Sequence, residues 1–321
     1  MKRLFNAALA ATTIVTASLQ DAAAGEIFIE PSGTYMFASK DGQDLYMDVY
    51  DPAEGSATTL DGRDKPTVIF MFGGGFKEGE RNKPYYTKWF KMMTDNGYRV
   101  VSIDYRLGLK GETNVGIAHV DKVEHAISIA VEDLYSATAF IVENAQMLGV
   151  NPANIVISGS SAGAISVLQA DYLLCNSDGR AAVLPDGFRY AGVMSFAGAV
   201  FSRNGTVKYA QEPSPTLLFH GTVDKVVNYK QIWFFNLRLA GSSVLCRTFE
   251  KGGYNYNFYR FFDCSHEIAS CMEQFFPEEI RFLETNVIRG QKRIVDAMVV
   301  SDPVIPESQW KGKTSADLYK D

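Results

Sequence analysis

The sequence carries no excess of positive charge and is poor in histidine and cysteine. Its 321 residues include 31 Lys and Arg against 37 Asp and Glu, which leaves a formal net charge of -6. Proteins that bind phosphate backbones need a basic surface, so we expect no nucleic acid partner. With 46% hydrophobic and 21% charged residues, the chain has the composition of a globular protein that buries a sizeable core.

A long uninterrupted hydrophobic run is also missing. The apolar stretch Leu4 to Ala17 is broken by polar residues and is too short for a strong transmembrane span. It follows Lys2 and Arg3 and precedes Ala22 and Ala24, which form an A-x-A cleavage pattern. We interpret residues 1–24 as a secretory signal peptide, with an ordinary N-terminal helix as the alternative. The mature chain is then expected to be secreted or periplasmic, without stable membrane insertion.

The expected export bears on the redox state of the few cysteines. Oxidising compartments let disulfides persist, so all four cysteines are candidates for such bonds. They are Cys175, Cys246, Cys264 and Cys271. The sequence does not choose among the pairings. The alternative is that some of them are buried thiols.

Strand-like and helix-like segments alternate along residues 25–321, which predicts one α/β domain with a mostly parallel sheet and helices on both faces. Apolar runs typical of buried strands lie at 67–72, 100–104, 154–158, 191–196 and 216–220, and helical patterns at 85–96, 120–147, 162–174 and 230–240. Two alternating segments, 34–39 and 45–50, predict antiparallel strands at the leading edge. Beyond about residue 290 the pattern weakens, and we expect a weakly structured tail.

The strongest local motif is Gly159-Ser160-Ser161-Ala162-Gly163. It matches G-x-S-x-G, follows the β-branched run 155–157 and precedes a helical pattern. A strand-to-helix turn this sharp needs glycine where a side chain would collide, and it exposes the central hydroxyl. Ser161 is therefore the predicted nucleophile. The alternative, a Gly/Ser-rich turn without chemistry, is weakened by the strand and helix that flank it.

A second motif, Phe72-Gly73-Gly74-Gly75-Phe76, follows the predicted strand 67–72. Consecutive glycines are entropically costly, so they indicate a place where the backbone approaches a ligand closely. Donation by the N–H groups of Gly74, Gly75 and Ala162 would stabilise the negative oxygen of a tetrahedral intermediate. These three residues form the predicted oxyanion hole. A flexible surface turn is the alternative.

A serine hydroxyl needs a base, and the chain offers only four histidines. His119 and His125 precede the nucleophile near a helical stretch, where solvated or capping roles are commoner. His220 ends a strand and suggests a structural position at the edge of the site. His266, late in the chain, remains as the predicted base.

The acid that orients this histidine is predicted to be Asp224, in the loop after strand 216–220. A carboxylate there would hold the tautomer of His266 and stabilise its imidazolium form. Asp263 and Glu267 are rivals because they lie close to His266 in sequence. Side chains one to three residues apart in a loop seldom share the required geometry, so both rank behind Asp224.

Gly-Gly-Gly-Phe at 73–76, Gly-x-Ser-Ala-Gly at 159–163 and His-Gly-x-x-Asp-x-Val-Val at 220–227 together resemble the α/β-hydrolase serine esterases, especially the carboxylesterase and hormone-sensitive-lipase-like groups. The resemblance covers roughly residues 45 to 285. It implies ester hydrolysis through an acyl-enzyme, with no metal or organic cofactor, and the chain order Ser161, Asp224, His266 is that of the fold. Phenylalanine at position 72 resembles the pattern of the type-B carboxylesterases, whereas Asp224 stands where those enzymes usually have glutamate. The subfamily therefore stays open.

The substrate is predicted less sharply than the reaction. Exported esterases of this kind often resemble enzymes that remove acetyl or feruloyl groups from plant polysaccharides, which makes a small-molecule or polysaccharide-linked ester the expected partner. Part of the aromatic run 254–262 is expected to form an apolar wall beside the site, and the rest to be core. The alternatives are a serine peptidase of the prolyl-oligopeptidase type and a non-catalytic hydrolase fold that serves as a binding module.

Overall fold

A computed structural model describes residues 29–112, 120–203, 205–234 and 237–300. The predicted signal peptide, 1–24, lies outside the described residues. Within them, the strands are β1 Gly33–Lys40, β2 Gln43–Tyr50, β3 Thr67–Met71, β4 Arg99–Ile103, β5 Ile155–Ser160, β6 Gly192–Phe196, β7 Ala199–Ser202, β8 Thr216–Gly221, β9 Gln231–Phe234, β10 Leu237–Gly241, β11 Tyr256–Phe261 and β12 Val295–Val299. The α-helices are α1 Pro84–Asp95, α2 Val120–Glu143, α3 Ala145–Leu148, α4 Ala162–Cys175, α5 Ser242–Gly252 and α6 Phe276–Phe282.

The main sheet has the strand order β1-β2-β4-β3-β5-β6-β8-β11-β12 in the described part of the chain. The pairs β1–β2 and β2–β4 are antiparallel, and the pairs from β4 through β12 are parallel. Every residue of β3, β5, β6 and β8 is buried, because helices cover both faces of the parallel part. The predicted strands and their mostly parallel arrangement are confirmed.

Two helices illustrate how the core is filled. Twelve of the residues of α4 are buried on all sides of the helix, so it packs inside the fold rather than along its surface. α2 is long and apolar enough to cross a membrane by length and composition, but 56% of its most apolar window is buried inside the protein. The apolar composition of α2 is therefore explained by its burial as a core helix.

The helix predicted at 230–240 is wrong. This segment instead forms strands β9 and β10, which pair with β7 in a second, antiparallel sheet of order β7-β10-β9. Apolar residues alternate with polar or exposed ones here, as Ile232 does with Gln231 and Trp233, and this period of two suits a strand. We call this unit the cap sheet.

The prediction of a weakly structured tail from about residue 290 is wrong for residues 295–299. β12 adds to the edge of the main sheet, with Val295 opposite Asn257 and Val299 opposite Phe261. Its residues alternate between half-buried and exposed, so side-chain burial gave a weak signal. Backbone pairing, which does not depend on side chains, is what holds this strand. Residues 301–321 lie outside the described residues.

The four cysteines, all within the described residues, are buried and form no disulfide. Of the two expectations for them, buried thiols describe the structure. Desolvation by burial raises the pKa of the Cys175 thiol to about 12. The protonated form therefore dominates, and the side chain packs as a small apolar group.

Candidate active site

Ser161 lies at the sharp turn between β5 and α4. Its φ is 51° and its ψ is -114°, a strained conformation for a residue with a side chain. A Cβ on Gly163 would come within 2.1 Å of the Met71 carbonyl oxygen, and one on Gly159 within 2.4 Å of the Gly163 backbone. The Ser161 N–H donates to the Phe196 carbonyl at 2.9 Å. Close backbone packing thus requires both glycines and fixes the serine.

The structure brings the three predicted catalytic residues together from separate loops. The Oγ of Ser161 lies 2.8 Å from Nε2 of His266, and Nδ1 of His266 lies 2.8 Å from Oδ2 of Asp224. Each of the three residues is less than 5% exposed. A base within hydrogen-bond reach of the hydroxyl, itself oriented by a carboxylate, is the arrangement that activates a serine nucleophile.

Asp224 is held by hydrogen bonds on both carboxylate oxygens. Its Oδ1 accepts from the N–H of Val226 at 2.8 Å and from that of Val227 at 3.1 Å. Burial by itself would raise the pKa of Asp224, but hydrogen bonds from His220 and His266 outweigh it and hold this pKa well below its ordinary value. The acid is therefore ionised at neutral pH.

His220 lies closer to the chemistry than its predicted position at the edge of the site. It is completely buried, and its Nε2 lies 3.3 Å from Oδ2 of Asp224. The signal in the sequence is the spacing of four residues between His220 and Asp224 across a strand-to-turn junction. Of the other two histidines, His125 is exposed, and His119 lies outside the described residues.

The two rival acids do not contact Nδ1 of His266, which is taken by Asp224. Glu267 turns back on its own loop, where its Oε1 accepts from the Ser265 N–H at 2.8 Å. Asp263 is exposed. Its backbone N–H, rather than its carboxylate, contacts the loop of Asp224 by donating to Oγ1 of Thr222.

The glycine loop after β3 is a tight turn. Gly74 has a φ of 125°, and a Cβ there would come within 1.9 Å of the Glu78 carbonyl oxygen. The carbonyl of Gly74 accepts from the N–H groups of Lys77 and Glu78. The N–H of Gly73 donates to Oη of Tyr86 at 2.9 Å, so it is occupied within the protein. This turn presents Gly75, whose φ is 63°, to the cavity beside Ser161.

Ala162, the residue after Ser161, is the first residue of α4 and lines the same cavity as Gly75. An N–H group in the first turn of a helix has no acceptor within that helix. The N–H of Ala162 therefore suits an oxygen anion bound next to Ser161. Gly75 and Ala162 flank the nucleophile on the cavity wall, as an oxyanion hole requires.

A cavity of about 360 Å³ opens next to Ser161. Its apolar walls come from the glycine loop, the loop after β4, α2, α4, the loop of Asp224 and the cap sheet: Phe76, Leu109, Val120, Val123, Ile165, Phe201, Val226, Val227, Ile232, Leu237 and Leu239. The aromatic run 254–262 does not supply this wall. Tyr256, Phe258 and Phe261 are instead buried core residues of β11. Aliphatic side chains, together with Phe76 and Phe201, therefore define the shape of the site.

Among the described residues, no group of three or more His, Cys, Asp or Glu side chains is placed to hold a metal ion. Asp133 of α2 forms an ion pair with Arg106, with Nη2 to Oδ1 at 2.8 Å. Burial of this pair ties the loop after β4 to α2. It is a structural contact rather than a ligand set.

The fold matches that of solved esterases. The apo form of Thermogutta terrifontis esterase 2 superposes with a TM-score of 0.54 at 20% identity, over 78% of this chain and 95% of that chain. The native structure of the same esterase gives a TM-score of 0.55 at 19% identity. The chain has the α/β-hydrolase fold. At this level of identity, the similarity is one of fold.

Sequence comparisons match part of the chain to esterases and lipases. A family model described as BD-FAE matches residues 47–172. Lipase 2 of Moraxella sp. (strain TA144) is 29% identical over 126 residues, which are 39% of this chain and 25% of the lipase. Carboxylesterase 5A of Ovis aries is 31% identical over 123 residues, 38% of this chain and 29% of the relative. The matches thus span less than a third of the length of these relatives.

Proposed function

We propose that this chain is a serine esterase that hydrolyses carboxylic esters through an acyl-enzyme. The observation that carries the proposal is the continuous hydrogen-bonded line from Ser161 through His266 to Asp224, at 2.8 Å and 2.8 Å, beside an apolar cavity. The matched relatives include lipases and carboxylesterases, which supports the same reaction class.

In the proposed acylation, Oγ of Ser161 attacks the ester carbonyl carbon while its proton passes to Nε2 of His266. The N–H groups of Gly75 and Ala162, with Gly74 as the third predicted donor, stabilise the resulting oxyanion. The carbon–oxygen bond to the alcohol then breaks, and His266 gives its proton to the leaving oxygen. Asp224, ionised and hydrogen-bonded to Nδ1, stabilises the imidazolium between these two transfers.

Deacylation repeats the sequence with water in place of serine. His266 takes a proton from the attacking water, and the bond between the acyl carbon and Ser161 Oγ breaks. The proton returns to Oγ, and the carboxylic acid leaves. The chain's own groups supply each proton transfer in this cycle.

For the substrate, we propose an acetyl or feruloyl ester on plant polysaccharide. The cavity lies at the small end of the range of roughly 300–1,000 Å³ found for ligand sites, yet it exceeds what an acetyl group fills. Its apolar walls suit an acyl group with a hydrophobic body. The proposed signal peptide at 1–24 would bring the enzyme to such substrates outside the cytoplasm.

The test is hydrolysis of p-nitrophenyl acetate, acetylated xylan and methyl ferulate by the wild-type chain and by Ser161→Ala. We expect the variant to lose roughly three decades of rate or more, because the covalent step is removed. The ranking of the two natural-type substrates then tests the polysaccharide proposal separately. Equal inactivity of wild type and variant on every ester would overturn the esterase proposal.

A further inference from the structure

His220 lies directly behind the proposed catalytic acid, at the end of β8. Its Nε2 is 2.9 Å from the Val227 carbonyl oxygen and 3.3 Å from Oδ2 of Asp224. Both of these atoms are acceptors, so Nε2 must carry a proton and donate to them. The carboxylate oxygen that receives the N–H of His266 therefore receives a second imidazole N–H.

The other ring nitrogen of His220 is held as well. Its Nδ1 lies 2.7 Å from Oγ of Ser242, the first residue of α5, while that Oγ lies 3.4 Å from the Gly198 carbonyl. The shorter contact is the stronger one, so the serine hydroxyl donates to Nδ1. Donation at Nδ1 fixes the tautomer that has its proton on Nε2.

We infer that His220 is a positioning residue for the ester hydrolysis proposed above, on which this inference rests. With His220 included, five side chains form one hydrogen-bonded line, in the order Ser242, His220, Asp224, His266 and Ser161. His220 acts through the acid and does not touch the ester. Its contribution is to aim Oδ2 at His266 and to take up part of the carboxylate charge.

The two oxygens of the acid explain why this contribution is separate from simple packing. Oδ1 of Asp224 is fixed by the backbone of its own turn, through Val226 and Val227. Oδ2 is approached by the two histidines alone among the described residues. Two N–H donors on one carboxylate oxygen share its negative charge. Removal of the His220 donor therefore leaves more of that charge to interact with His266. Loss of the His220 N–H should therefore favour the imidazolium form of His266 and move the acid limb of activity to higher pH.

Other titratable groups surround this line and are part of any pH effect. The ring of Tyr229 lies at 5.6 Å from that of His220, and burial raises the pKa of this tyrosine. Lys225 beside the acid is exposed, as is Asp263 on the loop of His266. Buried Glu267 on that loop is bonded to the Ser265 N–H. None of these residues is changed in the His220 variants, so the comparison is designed to isolate one donor.

The test compares His220→Leu with His220→Gln, because an amide N–H of glutamine reaches the position of Nε2 while leucine offers no donor. For the leucine variant we expect kcat to fall by up to roughly a hundredfold with KM unchanged. We expect the acid limb of kcat/KM to move up by about half a unit or more. Glutamine should restore most of kcat and the wild-type acid limb.

A second readout works without turnover. We expect the proton between Nδ1 of His266 and Asp224 to give a low-field proton resonance that shifts in His220→Leu and stays near its wild-type position in His220→Gln. Ser242→Ala, which keeps both histidines, should produce a smaller change in the same direction and serves if the leucine variant does not fold. An unchanged acid limb and resonance in the leucine or the Ser242→Ala variant would overturn the inference. A shifted resonance in a protein that hydrolyses no ester would instead contradict the proposed function and retain the positioning role.

Discussion

The two sides of the cavity are built on different physical principles. On the catalytic side, Ser161, His266 and Asp224 are joined by two contacts of 2.8 Å and depend on fixed directions. On the cap side, residues such as Ile232 and Leu239 offer apolar volume from a small antiparallel sheet, beside Arg238, which also lines the cavity. We expect the catalytic side to fail in rate when one atom changes, and the cap side to change selectivity gradually with side-chain size.

The largest effect should follow from Asp224→Asn. The amide keeps the shape but removes the charge that stabilises the imidazolium of His266, so kcat should fall by roughly four decades. Steady-state kinetics on p-nitrophenyl acetate would measure this. Asp263→Asn is the matched control, because Asp263 is exposed on the loop of His266 and its carboxylate makes no contact with Nδ1. Comparable losses in both variants would contradict the assignment of the acid.

An intermediate effect is expected from Leu239→Trp on the cap sheet. The larger side chain fills part of the cavity, so kcat/KM for a p-nitrophenyl ester with an eight-carbon acyl group should fall by roughly tenfold or more, with little change for acetate. Trp233→Leu is the control, because Trp233 is a half-exposed residue of β9 that stacks on Arg238 rather than lining the cavity. Equal losses on both esters would show that the cap sheet serves catalysis instead of selectivity.

The smallest effect concerns stability. The pKa of Asp224 is depressed in the folded protein. Its charge therefore stabilises the fold at pH values above the ordinary carboxyl pKa of about 4. This contribution is lost as the pH falls below that value toward the lower folded one. Urea unfolding should therefore show a steeper loss of stability on acidification in the wild type than in Asp224→Asn. Parallel pH dependence in the two proteins would argue that the carboxylate is not held in this way.

The contrast between the two sides also separates what the sequence predicts from what it does not. The turn at Ser161 is encoded locally, since Gly159 and Gly163 stand where a Cβ would collide with backbone. The buried strands, such as β3 and β5, are predicted by their apolar runs. These local signals led to the fold and to the three side chains that the structure brings together, whose catalytic roles stay predictions.

The errors fall where tertiary contacts decide. Residues 230–240 have a composition that suits either secondary structure, and pairing with β7 selects the strands β9 and β10. β12 depends on the free edge of β11, which no local pattern reveals. The contact between His220 and Asp224 requires the turn geometry that places residues four apart on the same side. The apolar wall likewise comes from many separate segments of the chain rather than from one aromatic run.

The most direct test of the central claim is mass spectrometry of the protein mixed with p-nitrophenyl acetate and quenched in acid within milliseconds. We expect the wild-type chain to gain the mass of one acetyl group, on a peptide that contains Ser161, and Ser161→Ala to gain none. An acetyl group on another residue, or hydrolysis that persists undiminished in Ser161→Ala, would contradict Ser161 as the nucleophile.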